Sequence, residues 1–369
     1  MLTQTRARLA ALVLGVVLVQ VLTTVTGTEY FLTQLTMSVY YALLVLGLCA
    51  LMGYAGQISI GHAGFFAIGG YLSALLTTYN LQPLLAANPA LAMLQQSGIL
   101  FTWENLYGET LLTFAPWAAA LVAISTAALV ALMVGIPVLK LRGHYLAMAT
   151  LGFGTIIYRV VLALPILGEA DGIAEVPGFT LLPAGLVSSE ALMISGDSSQ
   201  RIFNYYIAWA VHILGLALLL NLLTRSRSGR ALRALHGSEE AAEACGVNTS
   251  RAKLQVFVLS AVFAALAGVL LTHFNGGIGP AEATVMKSVR YVALVAVGGI
   301  TSLWGALFMG VGLSFLSLRG VFGSYDDAVF GLILLAVMLF APGGLAQLSS
   351  RIPWRRLLPA KQTQEDRHA

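Results

Sequence analysis

Long apolar runs recur along the whole chain, separated by short segments rich in polar residues, glycine or proline. Each run approaches the roughly 20 apolar residues that an α-helix needs to cross a bilayer. The runs do not alternate between apolar and polar positions, as the strands of a membrane β-barrel do. The pattern therefore predicts an all-α polytopic membrane protein with about ten transmembrane helices, near residues 9–27, 31–52, 60–79, 114–138, 144–167, 203–223, 254–273, 286–300, 303–318 and 327–346.

The stretch Gly53–Tyr71 interrupts this pattern with glycines and polar side chains where a helix should continue. Glycine costs a helix about 1 kcal/mol relative to alanine, and such a break is tolerated at membrane depth only inside protein or beside water. The chain is therefore predicted to move a solute across a membrane. The candidate pathway residues in this stretch are Gln57, Ser59, His62, Phe65 and Phe66. The alternative is that the polar groups only satisfy the backbone of the break and that the two phenylalanines are core packing.

Arg159 is a further candidate pathway residue, because the pattern places it deep in the fifth predicted helix. An arginine inside a membrane is a functional candidate by default. If that helix is shifted by one turn, the side chain can instead reach the membrane surface.

The distribution of charge supports a definite orientation of these helices. Only 10% of the residues are charged, against about 25% in soluble domains. With the N-terminus inside the cell, 15 of the 20 lysines and arginines fall in cytoplasmic segments, but only 5 of the 16 acids do. This bias is the one that the positive-inside rule requires, so both termini are predicted to be cytoplasmic. Residues 1–350 are predicted to form one transmembrane domain and 351–369 a polar cytoplasmic tail. No small-residue cleavage motif follows the first apolar run, so an uncleaved first helix is expected.

The long cytoplasmic loop, residues 224–253, carries a short helix signature. Ser238 can cap a helix that begins with the acids Glu239 and Glu240, and Gly246 is placed to end it. An ordinary solvated helix is the alternative to a docking element. The two cysteines and six histidines show no metal-ligand spacing, so no metal site is expected.

Five segments resemble a known family. Glu240-Ala241-Ala242 followed by Gly246 resembles the EAA---G loop of bacterial ABC importer permeases, where it forms the coupling helix that seats in the ATPase subunit. The segments 229–271 (GRALRALHGSEEAAEACGVNTSRAKLQVFVLSAVFAALAGVLL), Gly53–Tyr71, 141–157 (LRGHYLAMATLGFGTII), 291–307 (YVALVAVGGITSLWGAL) and 339–345 (LFAPGGL) are similar, in the same order, to branched-chain amino-acid permeases of the LivM type.

The resemblance implies an ABC importer permease of vitamin B12-type architecture in a bacterial inner membrane, moving branched-chain or other small apolar amino acids. It implies two ATP-binding subunits, a second permease subunit of related sequence, an external substrate-binding protein and the lipid bilayer as partners, with no nucleic acid, cofactor or catalytic residue. None of the four lysines follows a glycine, so the chain lacks a phosphate-binding loop and is not expected to be an enzyme. The residues implied to couple it to the ATPase are Glu239, Glu240, Ala241, Ala242 and Gly246.

Three segments depart from the family pattern and leave the substrate open. The fifth predicted helix is followed by LGEADGI at 167–173, the segment 283–291 (ATVMKSVRY) carries two basic residues, and 81–113 has no recognisable counterpart. Glu282, Lys287 and Arg290 can pair with one another at the outer surface or contact an acidic binding protein. Urea, short amides and aromatic acids remain alternative substrates, and a stand-alone secondary transporter remains an alternative class. That class needs coupling carboxylates inside the membrane, where the pattern places none.

Overall fold

The computed structural model of the chain describes residues 2–85, 89–104, 108–141, 143–180, 193–341 and 344. These residues are mostly helical. The α-helices are α1 (Leu2–Val25), α2 (Tyr30–Ala55), α3 (His62–Thr78), α4 (Gln82–Leu85), α5 (Pro89–Gln96), α6 (Pro116–Val138), α7 (His144–Ala163), α8 (Arg201–Arg225), α9 (Arg227–Gly237), α10 (Glu239–Ala244), α11 (Thr249–Asn275), α12 (Val285–Gly298), α13 (Leu303–Leu318) and α14 (Asp326–Phe340).

Each predicted span overlaps one of these helices, and seven helical segments in the described residues are long and apolar enough to cross a membrane. The protein is therefore a multi-pass membrane protein. Helices α3, α12 and α13 are shorter, with 17, 14 and 16 residues. The eighth predicted segment is confirmed as a short helix, α12, and its end at Gly298 leads into α13 through a tight turn. The total of ten crossings and the position of the termini remain predictions.

Helices α2, α3 and α11 form the centre of the bundle. The spanning part of α2 is 89% buried and that of α11 is 67% buried, whereas α1 is 17% buried. Helices α6, α7, α8, α12 and α13 pack around this centre. A helix that is apolar on all sides is buried by its neighbours, and α2 fits that rule because its sequence has no charged residue.

The expectation of an all-α chain was wrong for the connecting segments. Strands β1 (Leu100–Glu104) and β2 (Thr110–Phe114) form an antiparallel pair at the end of 81–113, the segment without a recognisable family counterpart. In β1 exposed and less exposed positions alternate, which suits a strand with one covered face. Two shorter antiparallel pairs join β3 (Ile173–Ala174) to β6 (Gly277–Ile278) and β4 (Phe179–Thr180) to β5 (Met193–Ile194).

The predicted polar tail, 351–369, and part of the segment 339–345 lie outside the described residues. The division of the chain into one domain and a tail therefore stays a prediction. Two features of the fold correspond to the candidate sites from the sequence. One is the non-helical segment between α2 and α3, and the other is the short helix α10 between α8 and α11.

Candidate functional site

Only the middle of the glycine-rich stretch Gly53–Tyr71 interrupts the helices: residues 56–61 are not helical, whereas Gly53–Ala55 belong to α2 and His62–Tyr71 belong to α3. Helix α2 stops where Gly56 adopts a left-handed conformation with φ +65°, and its backbone N–H bonds back to the carbonyl of Leu51. This is the usual way in which glycine ends a helix. The predicted break between the second and third helices is confirmed.

His62 begins α3 and is held by hydrogen bonds on both sides of its ring. Its Nδ1 lies 3.1 Å from the Ser59 hydroxyl and its Nε2 lies 2.7 Å from the hydroxyl of Ser260 in α11. All three side chains are buried. Because a serine hydroxyl can either donate or accept, both nitrogens are satisfied whichever one carries the proton.

The backbone of the break is satisfied by side chains from two other helices. The N–H of Ile60 donates to the hydroxyl of Thr150 in α7 at 3.0 Å, and the N–H of Ala63 donates to the hydroxyl of Ser288 in α12 at 3.1 Å. Free N–H groups at a helix start need such partners when water is excluded. Sequence reasoning missed Thr150, Ser260 and Ser288. Thr150 and Ser260 each stand as a hydroxyl residue within an apolar run, which is a signal that the sequence offered, whereas Ser288 lies between Lys287 and Arg290 and has no such signal.

The other candidates in this stretch are buried beside the same cluster. Phe65 packs against Phe153 of α7 and Phe257 of α11, with ring centroids 4.7 and 5.7 Å apart. Phe66 stacks on Tyr41 of α2 at 6.0 Å. These contacts fit the packing alternative for both phenylalanines.

Gln57 is also buried, and its side-chain carbonyl has no hydrogen-bond partner among the described protein atoms. A buried amide without a partner is costly unless something else satisfies it. The pathway role of these residues stays a prediction.

The glycines allow backbones to touch. A Cβ added to Gly61 would collide with the carbonyl oxygen of Thr150, and one added to Gly69 would collide with that of Ala265 in α11. Small residues at helix contacts are the usual means of close packing in membranes. These two glycines are explained by the approach of α7 and α11.

Other family-like segments meet the same region. Gly53 contacts the backbone of Ile300, in the turn after α12. Gly298 lies close to the backbone of Gly305, and Gly344 lies close to the backbone of Gly299. The segments 141–157, 229–271 and 291–307 therefore all contribute residues around the break between α2 and α3.

Arg159 lies apart from this cluster. It occupies the last turn and a half of α7, which ends at Ala163, and its side chain is exposed. The structure therefore places it near a helix end, as in the alternative in which the side chain reaches the membrane surface.

The loop between α8 and α11 folds into two short helices. Ser226 caps α9 by accepting from the N–H of Gly229, and Ser238 caps α10 by accepting from the N–H of Ala241 at 3.3 Å. Gly246 has φ +80° and lies in open space just after α10. The predicted capped helix and its glycine stop are confirmed as local structure.

One side of α10 is bound to α11 and the other side is exposed. Glu239 forms an ion pair with Lys253 of α11, Glu243 accepts a hydrogen bond from the Thr249 hydroxyl at 2.6 Å, and Ala242 is buried. Glu240 and Ala241 are exposed. The sequence had grouped Glu239 with Glu240, and the structure separates an anchoring residue from an exposed one.

Helix α9 links this loop to the break. It contacts both α2 and α8, and Leu232 and Leu235 are its buried residues on this side. The His236 ring lies 3.7 Å from the position that a Cβ on Gly56 would occupy. Helix α9 is therefore in contact with the end of α2, at the start of the break.

A second polar cluster lies at the start of α12. Lys287 pairs with Glu282 at 2.9 Å. Arg290 pairs instead with Asp326 at 2.8 Å and Asp327 at 2.6 Å, both in the first turn of α14. The pairing of Glu282 with Lys287 was one of the two predicted alternatives, whereas the two aspartates had not been singled out.

A bundle of long apolar helices, with a break between two of its central helices, places the protein in the class of polytopic membrane proteins. Residues 30–341 match the family described as branched-chain amino acid transport system / permease component. The chain belongs to this family.

Curated relatives agree with that assignment. The chain is 32% identical over 329 residues to the high-affinity branched-chain amino acid transport system permease protein LivM of Salmonella typhimurium, covering 85% of this chain and 69% of the relative. The LivM protein of Escherichia coli is 31% identical over the same shares. The LivH permease protein of Salmonella typhimurium is 28% identical over 86% of this chain and 95% of its own length. No solved structure matches the chain.

Proposed function

We propose that the chain is the permease subunit of a bacterial ABC importer for branched-chain or other small apolar amino acids. It lies in the inner membrane with about ten crossings, both termini in the cytoplasm and an architecture like that of the vitamin B12-type importers. The substrate follows from what the relatives' names state, and the orientation follows from the clustering of basic residues in alternate loops.

One observation carries the mechanism: helix α10 is anchored to α11 on one side, exposes Glu240 on the other, and joins α9, which packs on the end of α2. Because α9 and α10 are joined and packed in this way, a partner subunit that displaces α10 also displaces α9 and the end of α2. A docked ATPase subunit moves α9 and α10 together, and the break between α2 and α3 follows. The residues of this coupling helix are Glu239, Glu240, Ala241, Ala242 and Gly246.

The partners in this proposal are two ATP-binding subunits, a second permease of related sequence and an external binding protein. The similarity of this one chain to both LivM and LivH, which are named as permease proteins of one kind of transport system, supports a pair of related permeases. The chain has no lysine in a phosphate-binding motif, so ATP hydrolysis belongs to other subunits.

Reconstitution of the complete transporter tests the proposal. Vesicles that hold the permease with its ATP-binding subunits and binding protein should take up labelled leucine only when ATP is supplied. Uptake without ATP would favour a stand-alone carrier. Uptake of urea, a short amide or benzoate in place of leucine would show that the proposed substrate class is wrong.

The double variant Glu240→Lys with Gly246→Pro should abolish leucine uptake while the chain still inserts into the membrane. Proline cannot adopt the positive φ of Gly246, and the lysine reverses a charge on the exposed side of α10. Glu104→Lys makes the same charge change on an exposed position of β1 and serves as the control. Normal uptake by the double variant would refute the coupling assignment.

A further inference from the structure

Glu282 has one carboxylate oxygen in use and one unused. Its Oε1 accepts from the Lys287 ammonium and from the Tyr41 hydroxyl, both at 2.9 Å. Its Oε2 is buried and has no hydrogen-bond partner among the protein atoms that the structure describes. A buried carboxylate oxygen is an acceptor that a ligand's N–H groups can satisfy.

This group lies beside the middle of a central helix, with the Glu282 and Lys287 side chains 20% and 24% exposed. Tyr41 is the twelfth residue of α2, so its backbone is about 16 Å along the helix from the start at Tyr30. Glu282 belongs to the turn between β6 and α12, which packs against α3. The sequence pattern had placed every acid in a loop or at a helix end, and the fold brings this loop beside the middle of a central helix. Ionisable residues in such places are candidates for a functional site.

Aromatic side chains surround the charge pair. The Lys287 ammonium lies 4.7 Å from the centroid of the Tyr41 ring, and Tyr291 lies 6.2 Å from the same ring. The hydroxyls of Tyr291 and Tyr71 are buried and have no hydrogen-bond partner in the described part of the chain. A carboxylate beside aromatic faces is the chemistry that holds an organic ammonium group. Here the ammonium group of Lys287 occupies that place.

Lys287 can leave this place more readily than its neighbour Arg290. Arg290 is held by Asp326, Asp327 and the Ser317 hydroxyl, whereas the ion pair of Lys287 is with Glu282 alone among the described residues. The cavity beside Tyr41, Lys287 and Tyr291 measures about 30 Å³, which holds about one water molecule. A ligand the size of an amino acid therefore fits beside Tyr41 only if a lining side chain such as Lys287 moves away.

We propose that Glu282 and Lys287 form a binding site for the two charges of a zwitterionic α-amino acid on its way through the permease. The ammonium group of the substrate takes the place of the Lys287 ammonium, between Glu282 and the Tyr41 ring. The displaced Lys287 then pairs with the substrate carboxylate. Each protein charge exchanges one partner for another, so opening the pair leaves no buried charge alone.

This site selects among the substrates that the family resemblance left open, and it rests on the proposed import function. Urea and short amides carry neither charge, and an aromatic acid lacks the ammonium group. Each of these compounds would leave Glu282, Lys287 or both without a partner once the pair has opened. A site with an unpaired charged group discriminates strongly against such a compound.

Uptake by the complete transporter tests the two residues. Glu282→Gln and Lys287→Met should each lower ATP-driven leucine uptake by about tenfold or more, because each leaves the other charge unpaired. Glu169→Gln, the same change on an exposed glutamate, should stay within about twofold of the wild type. The exchange Glu282→Lys with Lys287→Glu keeps an ion pair but reverses its direction, so uptake should remain low.

Binding to the purified permease tests the ligand class without the binding protein. Leucine should raise the melting temperature of the wild type, whereas 4-methylpentanoate, which lacks the ammonium, and 3-methylbutylamine, which lacks the carboxylate, should not. The shift with leucine should disappear in Glu282→Gln and in Lys287→Met.

The outcomes separate this site from the import function. If the wild-type transporter takes up leucine but both single variants match it, or if the charge exchange restores uptake, the pair is structural and the site is refuted. Equal shifts with all three ligands would also overturn it. If the wild-type transporter takes up no leucine, the import function fails and the site falls with it.

Discussion

Gly53 in α2 lies directly against the backbone carbonyl of Ile300, in the turn that joins α12 to α13. The Cys49 thiol, one helical turn away, contacts the same carbonyl at 3.2 Å. Two interruptions of the helical pattern therefore meet: the end of α2 before the break, and the tight turn between two short helices. The contact gives both interruptions a packing role and joins two parts of the chain that are far apart in sequence.

Gly53→Ala should destabilise the protein, because the added methyl group collides with backbone atoms that cannot move independently. Overpacking of this kind costs about 1–3 kcal/mol. Gly152→Ala is the control, since Gly152 is also within a helix but has nothing within 4 Å of the added atom. Thermal unfolding of the purified variants in detergent measures the difference. Equal melting temperatures for the two would show that the close approach at Ile300 is absent.

Ser260→Ala should destabilise the protein by about 1–3 kcal/mol, because it leaves one nitrogen of the buried His62 ring without a partner. Ser250→Ala, at an exposed position in the first turn of the same helix, should change stability by less than about 0.5 kcal/mol. Denaturation curves of both variants check the comparison. Two groups that share a hydrogen bond should couple, so the double variant His62→Ala with Ser260→Ala should lose less stability than the sum of the two single variants. A loss equal to that sum would contradict the prediction.

Glu239→Gln and Lys253→Met should each weaken the attachment of α10 to α11, slow substrate uptake and lower the free energy of unfolding. The Lys253 side chain is only 11% exposed and the Glu239 side chain is 27% exposed, so Glu239→Gln leaves a largely buried ammonium without its counter-charge, which costs about 1–3 kcal/mol. The double variant should be no worse than the poorer single variant, because both changes remove the same bond. Arg251→Met, an exposed cation two residues away, is the control. Additive losses in uptake would argue against a shared anchor.

Cys245 should react with a membrane-impermeant maleimide in inside-out vesicles and not in right-side-out vesicles. It is exposed immediately after α10, and that loop is predicted to be cytoplasmic, whereas Cys49 is buried. Mass spectrometry of the labelled peptide provides the readout, and Cys245→Ser should take up no label. Binding of the ATP-binding subunits should slow the reaction. Labelling from the outer side would reverse the predicted topology.

The local features of the site were predictable because they depend on residues that are close in sequence. Gly56 ends α2, Ser238 caps α10 and Gly246 follows it, each as the residue types indicate. Helix caps and stops involve bonds over three to five residues, so a sequence pattern is enough to find them. The strands β1 and β2 were missed, because each has only five residues and β2 does not alternate between exposed and buried positions, so the signal inside the long loop was weak.

The contacts between distant segments could not be predicted in the same way. Nothing near His62 in the sequence indicates that its partner is Ser260, 198 residues further on. Likewise Tyr41 and Glu282 are separated by 241 residues. Arg159 was placed deep in a helix by its position in an apolar run, but only the observed end of α7 at Ala163 shows how near the helix end it lies.

The sequence by itself determined the class of the protein, the positions of its long helices, the presence of a break within Gly53–Tyr71 and the capped helix at Glu239–Ala244. These follow from the length of apolar runs and from hydrogen bonds within a few residues, both of which are local properties. Only the tertiary structure decided which hydroxyls satisfy the break, that α9 packs on the end of α2, and that Glu282 and Lys287 lie among tyrosines beside the middle of a central helix. Such contacts depend on how whole helices pack, and that packing is set by the fit of side chains from all parts of the chain at once.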